Sequence, residues 1–209
     1  MGTLLNVPMP SLLSAIDIIR KYEGFNEKAY PDPETGEAPF TIGYGTQYYP
    51  DGSSGKKGHC CTEKKAILYL MHEAKCIKED LDNLDLNLDK PMREALVSFI
   101  HSVGWKPFLY SKIIDCIEEK NWKGVANEMS MWVLDRNHNV IGNLLERRNE
   151  EINLFLTSMN LNFSLKNNVL LNAFSRYSSK PHEIEAIKNL EFQLNPYVLA
   201  EFANSFQGF

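Results

Sequence analysis

Glycine and proline are concentrated in one segment of this chain, and that concentration constrains the fold more than any other feature of the sequence. Between Gly24 and Gly58 lie seven of the 12 glycines and four of the 10 prolines. They gather at residues 33–36 and 50–55, as they do in tight turns. Residues 40–49, between these turns, are rich in residues that favour β-strands. The segment therefore predicts a small antiparallel sheet.

Amphipathic helical patterns flank the predicted sheet on both sides. Before it, apolar residues at helical spacing predict a helix that Ser11 caps and that ends at Gly24, directly after Glu23. After it, Thr62 and Asp89 are the predicted N-caps of two further helices. The helices predicted after the sheet cover residues 62–84, 89–103, 111–119, 122–131 and 144–157. Helices around a small sheet predict an α+β fold.

The charge and hydropathy of the chain argue against two classes of partner. The net charge is −5, whereas proteins that bind nucleic acid generally present a basic face. No apolar run reaches the roughly 18 residues that a transmembrane helix requires. Residues 1–20 also lack the basic start of a secretory signal. We therefore expect no nucleic-acid partner, no stable membrane insertion and no secretory leader.

The four cysteines are more typical of reduced thiols than of a disulfide framework. Cys60 and Cys61 are adjacent, and a chain of this length does not depend on disulfides for stability. His72 and Cys76 are four residues apart on one predicted helix, a spacing that zinc ligands use. However, the sequence contains no Cys-x-x-Cys pair to complete such a site. We therefore expect no metal and no cofactor.

Two carboxyl groups and a hydroxyl near the predicted sheet are the groups that glycoside hydrolysis requires. That reaction needs a protonated carboxyl beside the leaving oxygen and a second group that activates water or attacks the sugar. Glu23 lies at a predicted helix end, where Tyr22 and Phe25 would shield it from water and favour its protonated form. Asp32 follows in a turn where it would stay solvated and ionised. Thr41 begins the strand-forming run and brings a hydroxyl that can hold a water molecule.

The arrangement of these three residues resembles a known active-site signature. Residues 23–32 (EGFNEKAYPD), followed by residues 40–45 (FTIGYG), resemble the signature of the phage lysozyme (endolysin muraminidase) family. That signature places a catalytic Glu, then an Asp, then a Thr before an Ile-Gly-x-Gly run. The matching positions here are Glu23, Asp32 and Thr41.

Two further segments resemble the same family, in the same order along the chain. Residues 95–104 (ALVSFIHSVG) resemble its central buried helix, with Ser102 where Asn is common. Residues 142–152 (GNLLERRNEEI) resemble its Gly-Leu-x-x-Arg-Arg-x-x-Glu helix, with Asn143 in place of Leu. The resemblance covers roughly residues 11–157.

The resemblance implies a lysozyme-like fold, mostly helical, with the small antiparallel sheet beside an active-site cleft. It implies a muramidase that hydrolyses the β-1,4 bond between N-acetylmuramic acid and N-acetylglucosamine, with inversion at the anomeric carbon. The implied catalytic residues are Glu23, Asp32 and Thr41, and the expected substrate contacts are Tyr44, His101 and Ser111. Arg147 or Arg148 is expected to point inward and pair with the catalytic Glu, but the helical phase does not distinguish the two.

The expected partner of such a protein is bacterial peptidoglycan, and we expect it to act as a monomer. It would be made in the host cytoplasm and would reach the wall after holin-type release or as part of a virion. A lytic transglycosylase is one alternative, but Asp32 and Thr41 would then have no water to place. A structural or wall-binding virion component with an inactive lysozyme fold is another, against which the complete Glu–Asp–Thr set argues.

The C-terminal part of the chain matches no motif. Residues 158–165 are typical of a linker, which predicts a catalytic domain over residues 1–157 and an extension over residues 158–209. The extension carries three short helical patterns rich in aromatic residues, but about 50 residues are too few to bury a secure core. We expect it to dock on the catalytic domain, with a wall-binding module as the alternative.

Overall fold

The computed structural model of the chain describes residues 12–33, 35–133 and 141–159. The helices are α1 (Leu13–Glu23), α2 (Glu63–Asp82), α3 (Lys90–Val103), α4 (Trp105–Tyr110), α5 (Ile113–Glu118), α6 (Trp122–Ser130) and α7 (Gly142–Phe155), the strands are β1 (Asn26–Pro31) and β2 (Phe40–Gly43), and a 3₁₀ turn covers Thr157–Met159. The predicted α+β class is therefore confirmed. The chain divides into two compact units between Phe108 and Leu109.

The first unit contains the predicted small sheet. Strands β1 and β2 are antiparallel, and Tyr30 lies directly opposite Thr41. The chain after β2 folds back along the sheet, so that Cys60 bridges to Lys28 of β1. The sheet packs against α2, where Ile42 joins a buried cluster with residues of α1 and α2. The glycine- and proline-rich segment thus forms the hairpin and loop that its composition predicts.

Helix α3 is the core of the first unit. Both α1 and α2 pack against it, and its buried residues are Met92, Glu94, Ala95, Leu96, Val97, Ser98, Phe99 and Ile100. The predicted N-caps of α2 and α3 are confirmed: Thr62 accepts from the backbone N–H of Lys65, and Asp89 accepts from that of Met92. This packing brings the C-terminal end of α3, where His101 lies, close to α1 and α2.

The beginning of α1 has a cap that the sequence did not predict. Ser11 lies outside the described residues, and Leu12 at the start of the helix makes no side-chain cap. Instead, the backbone N–H of Ser14 donates to Oε1 of Glu94 on α3, at 3.2 Å. Glu94 is buried, so its carboxylate satisfies a helix end inside the unit.

In the second unit, α6 packs against both α5 and α7. These helices confirm the three predicted over residues 111–119, 122–131 and 144–157, with ends shifted by at most two residues. Helix α4 was not predicted; its Pro107 lies in the first turn of the helix, where a proline has no N–H bond to lose. Over the described part of the chain, no helix has both the length and the apolar character to cross a membrane.

The predicted extension falls almost wholly outside the described residues, which end at Met159. The predicted linker, the three helical patterns after it and the docking of residues 158–209 therefore stay predictions. So does the boundary of the catalytic domain at residue 157.

Candidate active site

Glu23 is the last residue of α1, and its side chain is 29% exposed. The Gly-x-Gly turn after β2 packs against this carboxyl group. A Cβ atom built on Gly45 would lie 3.6 Å from Oε2 of Glu23 and 3.2 Å from Cε1 of His101. The helix end and the turn therefore hold the Glu23 carboxyl in a narrow space.

His101 lies between two glutamates. Its Nδ1 is 3.6 Å from Oε1 of Glu23, and its Nε2 is 3.3 Å from Oε2 of Glu73. Burial of the ring opposes protonation, but the two carboxylates outweigh it, so that the pKa of His101 is raised above its ordinary value. The predicted substrate contact of His101 remains a prediction, and its observed neighbours are these two acids.

Sequence reasoning did not single out Glu73. Helix α2 has a stripe of apolar residues that includes Leu70 and Ala74, both buried. Glu73 lies three residues after Leu70 and therefore on the same face of the helix. The signal in the sequence was a carboxylate on the apolar face of the helix. Such a carboxylate needs a buried cation or hydrogen-bond donor as a partner, and here another helix supplies it.

The register of the hairpin relates Thr41 to Glu23. Tyr30 and Thr41 are directly opposed in the sheet, so their side chains leave the same face. Burial and the negative charge of Glu23 raise the pKa of Tyr30, which shows that Tyr30 lies near Glu23. Tyr30 therefore shares a face of the hairpin with Thr41 and is close enough to Glu23 to be affected by its charge. The hydroxyl of Thr41 accepts from the side-chain amide of Gln47 at 3.5 Å.

Asp32 is the first residue after β1 and organises the turn that follows. Its Oδ1 accepts from the backbone N–H of Thr35 at 3.0 Å and from the hydroxyl of Thr35 at 3.3 Å. Its backbone carbonyl accepts from Gly36 N–H at 2.8 Å. These bonds hold the carboxylate in a defined orientation, while its role in catalysis stays a prediction.

Tyr44, a predicted substrate contact, has a buried side chain in the structure. Its hydroxyl donates to Oε1 of Glu63 at 2.6 Å, and the guanidinium of Arg20 lies over its ring, 5.4 Å from the centroid. Arg20 also pairs with Glu63 at 3.3 Å. These contacts join α1 to the start of α2, and a contact of Tyr44 with substrate stays a prediction.

The remaining predicted site residues lie in the second unit. Ser111 precedes α5, and its Oγ accepts from the backbone N–H of Ile113 at 3.3 Å. Arg147 and Arg148 are both buried on α7. Each lies 3.0 Å from an oxygen of Glu151, which is itself buried. The predicted pairing of one of these arginines with Glu23 stays a prediction.

The first unit also contains a cavity at a place other than Glu23, and the cysteines of the chain are not oxidised. Cys60, Cys61, Cys76 and Cys116 are all unpaired thiols, and burial raises the pKa of Cys61. A pocket of about 630 Å³ in the first unit is lined by Tyr49, Pro50, Asp51, Gly58, His59, Cys60, Lys65 and Tyr69. No predicted catalytic or substrate-binding residue lines it. Its shape therefore says nothing about the proposed chemistry at Glu23.

Comparison with known proteins assigns the chain to a family. The family model described as phage lysozyme matches residues 20–151, a span that contains Glu23, Asp32 and Thr41. The chain belongs to the phage lysozyme family. This confirms the family resemblance that the three sequence motifs indicated.

Individual phage lysozyme relatives agree with this assignment. The endolysin of Bacillus phage B103 is 31% identical over 152 residues, which are 72% of this chain and 56% of that protein. The endolysin of Salmonella phage P22 is 28% identical over 145 residues, which are 69% of this chain and 96% of that protein. The chain therefore spans about half the length of the Bacillus phage relatives that it matches.

The fold agrees with the family as well. The solved endolysin from Escherichia coli O157:H7 phage FAHEc1 matches with a TM-score of 0.61 and 26% identity, over 72% of this chain and 96% of that one. The lysozyme-like fold expected from the sequence is confirmed.

Proposed function

We propose that this chain is a peptidoglycan hydrolase, a muramidase that cleaves the β-1,4 bond between N-acetylmuramic acid and N-acetylglucosamine. The observation that carries the proposal is the position of Glu23 in a member of the phage lysozyme family. Its carboxyl lies at the end of α1, against the backbone of Gly45 and the ring of His101. Relatives of the chain are endolysins of bacteriophages.

In this proposal Glu23 is the general acid. It donates its proton to the glycosidic oxygen while the bond from that oxygen to C1 breaks, a contribution of about 10²–10⁴-fold in rate. Partial burial beside α1 and the Gly45 turn favours the protonated form that this step needs.

Asp32 and Thr41 are proposed to place the attacking water. Thr41 shares a face of the hairpin with Tyr30, whose pKa the charge of Glu23 helps to raise. Asp32 follows two residues after Tyr30. Attack from the face opposite the leaving group inverts the configuration at C1, and inverting enzymes keep their carboxyl groups about 6.5–9.5 Å apart to admit the water.

The proposal extends to the biological setting. The substrate is the host cell wall, and the protein acts as a monomer during phage lysis, after release from the cytoplasm or as part of a virion. The reaction needs no metal or organic cofactor, since the acid and the water-placing groups come from the chain itself.

Digestion of purified peptidoglycan, followed by mass spectrometry of the muropeptides, tests the proposal. We expect N-acetylmuramic acid at the new reducing ends. Glu23→Gln should keep the melting temperature and abolish product, because an amide cannot donate the proton. Glu27→Gln is the matched control, since Glu27 is exposed on β1 four residues later. Anhydro ends would indicate a transglycosylase, and intact peptidoglycan would indicate a structural or binding protein.

A further inference from the structure

The His101 ring contacts carboxylates from two different helices. Glu23 at the end of α1 faces Nδ1, and Glu73 in the middle of α2 faces Nε2, at 3.6 and 3.3 Å respectively. The His101 side chain is only 8% exposed. Among the described residues, the buried Nδ1 has no hydrogen-bond partner, and Glu23 is its ionic neighbour. The position of the proton between Nδ1 and the proposed acid therefore matters for catalysis.

The contact with Glu73 determines which ring nitrogen carries the proton. A carboxylate can only accept, so Nε2 must donate its hydrogen to Glu73. In the neutral ring, Nδ1 then presents its lone pair to Glu23. One further proton can lie either on Nδ1, with Glu23 ionised, or on Glu23, with the ring neutral. Both arrangements have the same total charge, so the proton can move between them without a change in the charge of the site.

We propose that His101 is a positioning residue that shares one proton with Glu23, so that Glu23 stays supplied with the proton that it donates, while Glu73 holds the ring in the required tautomer. This inference rests on the proposed role of Glu23 as the general acid. When the glycosidic bond breaks, its electron pair goes to the leaving oxygen together with the proton from Glu23. The attacking water releases one proton to solvent, and the Glu23–His101 pair takes one proton back, so the cycle consumes none.

The shared proton has a consequence for the pH profile. A lone carboxyl loses its proton at the carboxyl's own pKa, whereas a coupled pair keeps one proton until the pair as a whole deprotonates. The two carboxylates raise the pKa of His101 above its ordinary value despite burial of the ring. The alkaline limb of activity should therefore lie above about 6.5, the ordinary value for histidine, rather than in the range of carboxyl groups.

Other ionisable groups near the pair do not produce this behaviour. Within the first unit, Glu23 comes from α1, Glu73 from α2 and Tyr30 from β1, and burial raises the pKa of Tyr30 further above the range of the test. The turn at Gly45 contributes backbone only. Arginine side chains keep their charge at every pH tested, and no arginine is changed in any of the variants.

The experiment measures turnover of soluble glycan fragments as a function of pH. The proteins compared are the wild type, His101→Gln, Glu73→Gln and the control His72→Gln, whose ring faces Cys76 rather than a carboxylate. We expect the alkaline limb to move to lower pH by about one unit or more in His101→Gln. Above the new limb, turnover should fall about tenfold for each pH unit. Glu73→Gln should move it in the same direction by less, and His72→Gln should leave it unchanged.

The direction of the shift distinguishes this inference from the simpler ones. A histidine that acts only as a fixed cation would favour ionised Glu23, and its removal would move the limb to higher pH. A histidine that only packs would change the rate and leave the limb in place. Suppose that the wild type hydrolyses peptidoglycan and the Glu23→Gln variant does not. Either of these results would then refute the shared proton and leave the proposed function standing. A wild type without hydrolytic activity would overturn the proposed function together with this inference.

A second measurement covers the case in which His101→Gln does not fold. In the folded wild type, the NMR titration of the His101 ring should show a pKa above the ordinary value, and Glu73→Gln should lower it. Nδ1 should titrate together with Glu23 rather than at an independent pH. A His101 that titrates at its ordinary value, and independently of both carboxylates, overturns the inference.

Discussion

Replacing Gly45 by alanine tests whether the turn after β2 holds the proposed acid in place. Gly45 has a φ of +98°, and a Cβ at this position would lie 3.2 Å from Cε1 of His101 and 3.6 Å from Oε2 of Glu23. The substitution therefore has two effects, backbone strain and a steric push on the site. Gly52 supplies the matched control, because its φ is +81° and a Cβ there would meet nothing within 4 Å.

The magnitude of the first effect is similar for both variants. A residue other than glycine in such a conformation costs about 1–3 kcal/mol. For a chain of this size each kcal/mol lowers the melting temperature by about 2–4 °C. We therefore expect Gly45→Ala and Gly52→Ala to melt about 2–12 °C below the wild type, as measured by calorimetry.

The second effect should be confined to Gly45→Ala. The ring of His101 is nearly buried and lies between Glu23 and Glu73, so a shift away from the new methyl group changes its contact with Glu23. A displacement of about 1 Å at a catalytic group can cost about 10²-fold in rate, and a few tenths of an ångström should cost about tenfold. Turnover of peptidoglycan fragments, measured below both melting temperatures, should fall in Gly45→Ala and not in Gly52→Ala. Equal turnover in the two variants would refute the argument that this turn positions Glu23.

Three further predictions concern other parts of the structure. Glu151→Gln should cost about 3–5 kcal/mol in the free energy of unfolding, because it leaves buried guanidinium groups without their carboxylate; denaturant titration beside the exposed control Glu146→Gln checks this, and equal stabilities would contradict it. Tyr44→Phe should cost about 1–2 kcal/mol through the lost hydrogen bond to a carboxylate and keep turnover, whereas lost turnover at unchanged stability would support the predicted substrate contact. Asp32→Asn and Thr41→Ala should each lower turnover sharply while the melting temperature stays near that of the wild type, and the reverse pattern would make them structural residues.

Local features of the chain were predictable because they depend on interactions between near neighbours. Thr62 and Asp89 cap the helices that they were predicted to cap, since each side chain reaches a backbone N–H only three residues later. The hairpin forms where glycine and proline are concentrated, because they favour the turns that it needs. The family was predictable from three motifs in the correct order, the first of which contains Glu23, Asp32 and Thr41.

The contacts around the proposed acid were decided only by the tertiary structure. Ser14 is capped by Glu94, 80 residues away, and His101 meets Glu73 from another helix. From the sequence, a charge at such a position is compatible with a solvated surface as well as with a buried partner. Which of the two occurs depends on whether a second helix brings a complementary group within about 4 Å.

The sequence by itself determined the order of the helices, the hairpin and the signature that names Glu23, Asp32 and Thr41. The tertiary structure decided how charge is accommodated. It buries both Arg147 and Arg148, whereas the sequence analysis expected only one of them to point inward. Both can be buried because Glu151, one turn later, lies 3.0 Å from each. The physical reason is that a buried charge is tolerated only with a partner, and whether the partner is within reach depends on how the elements pack.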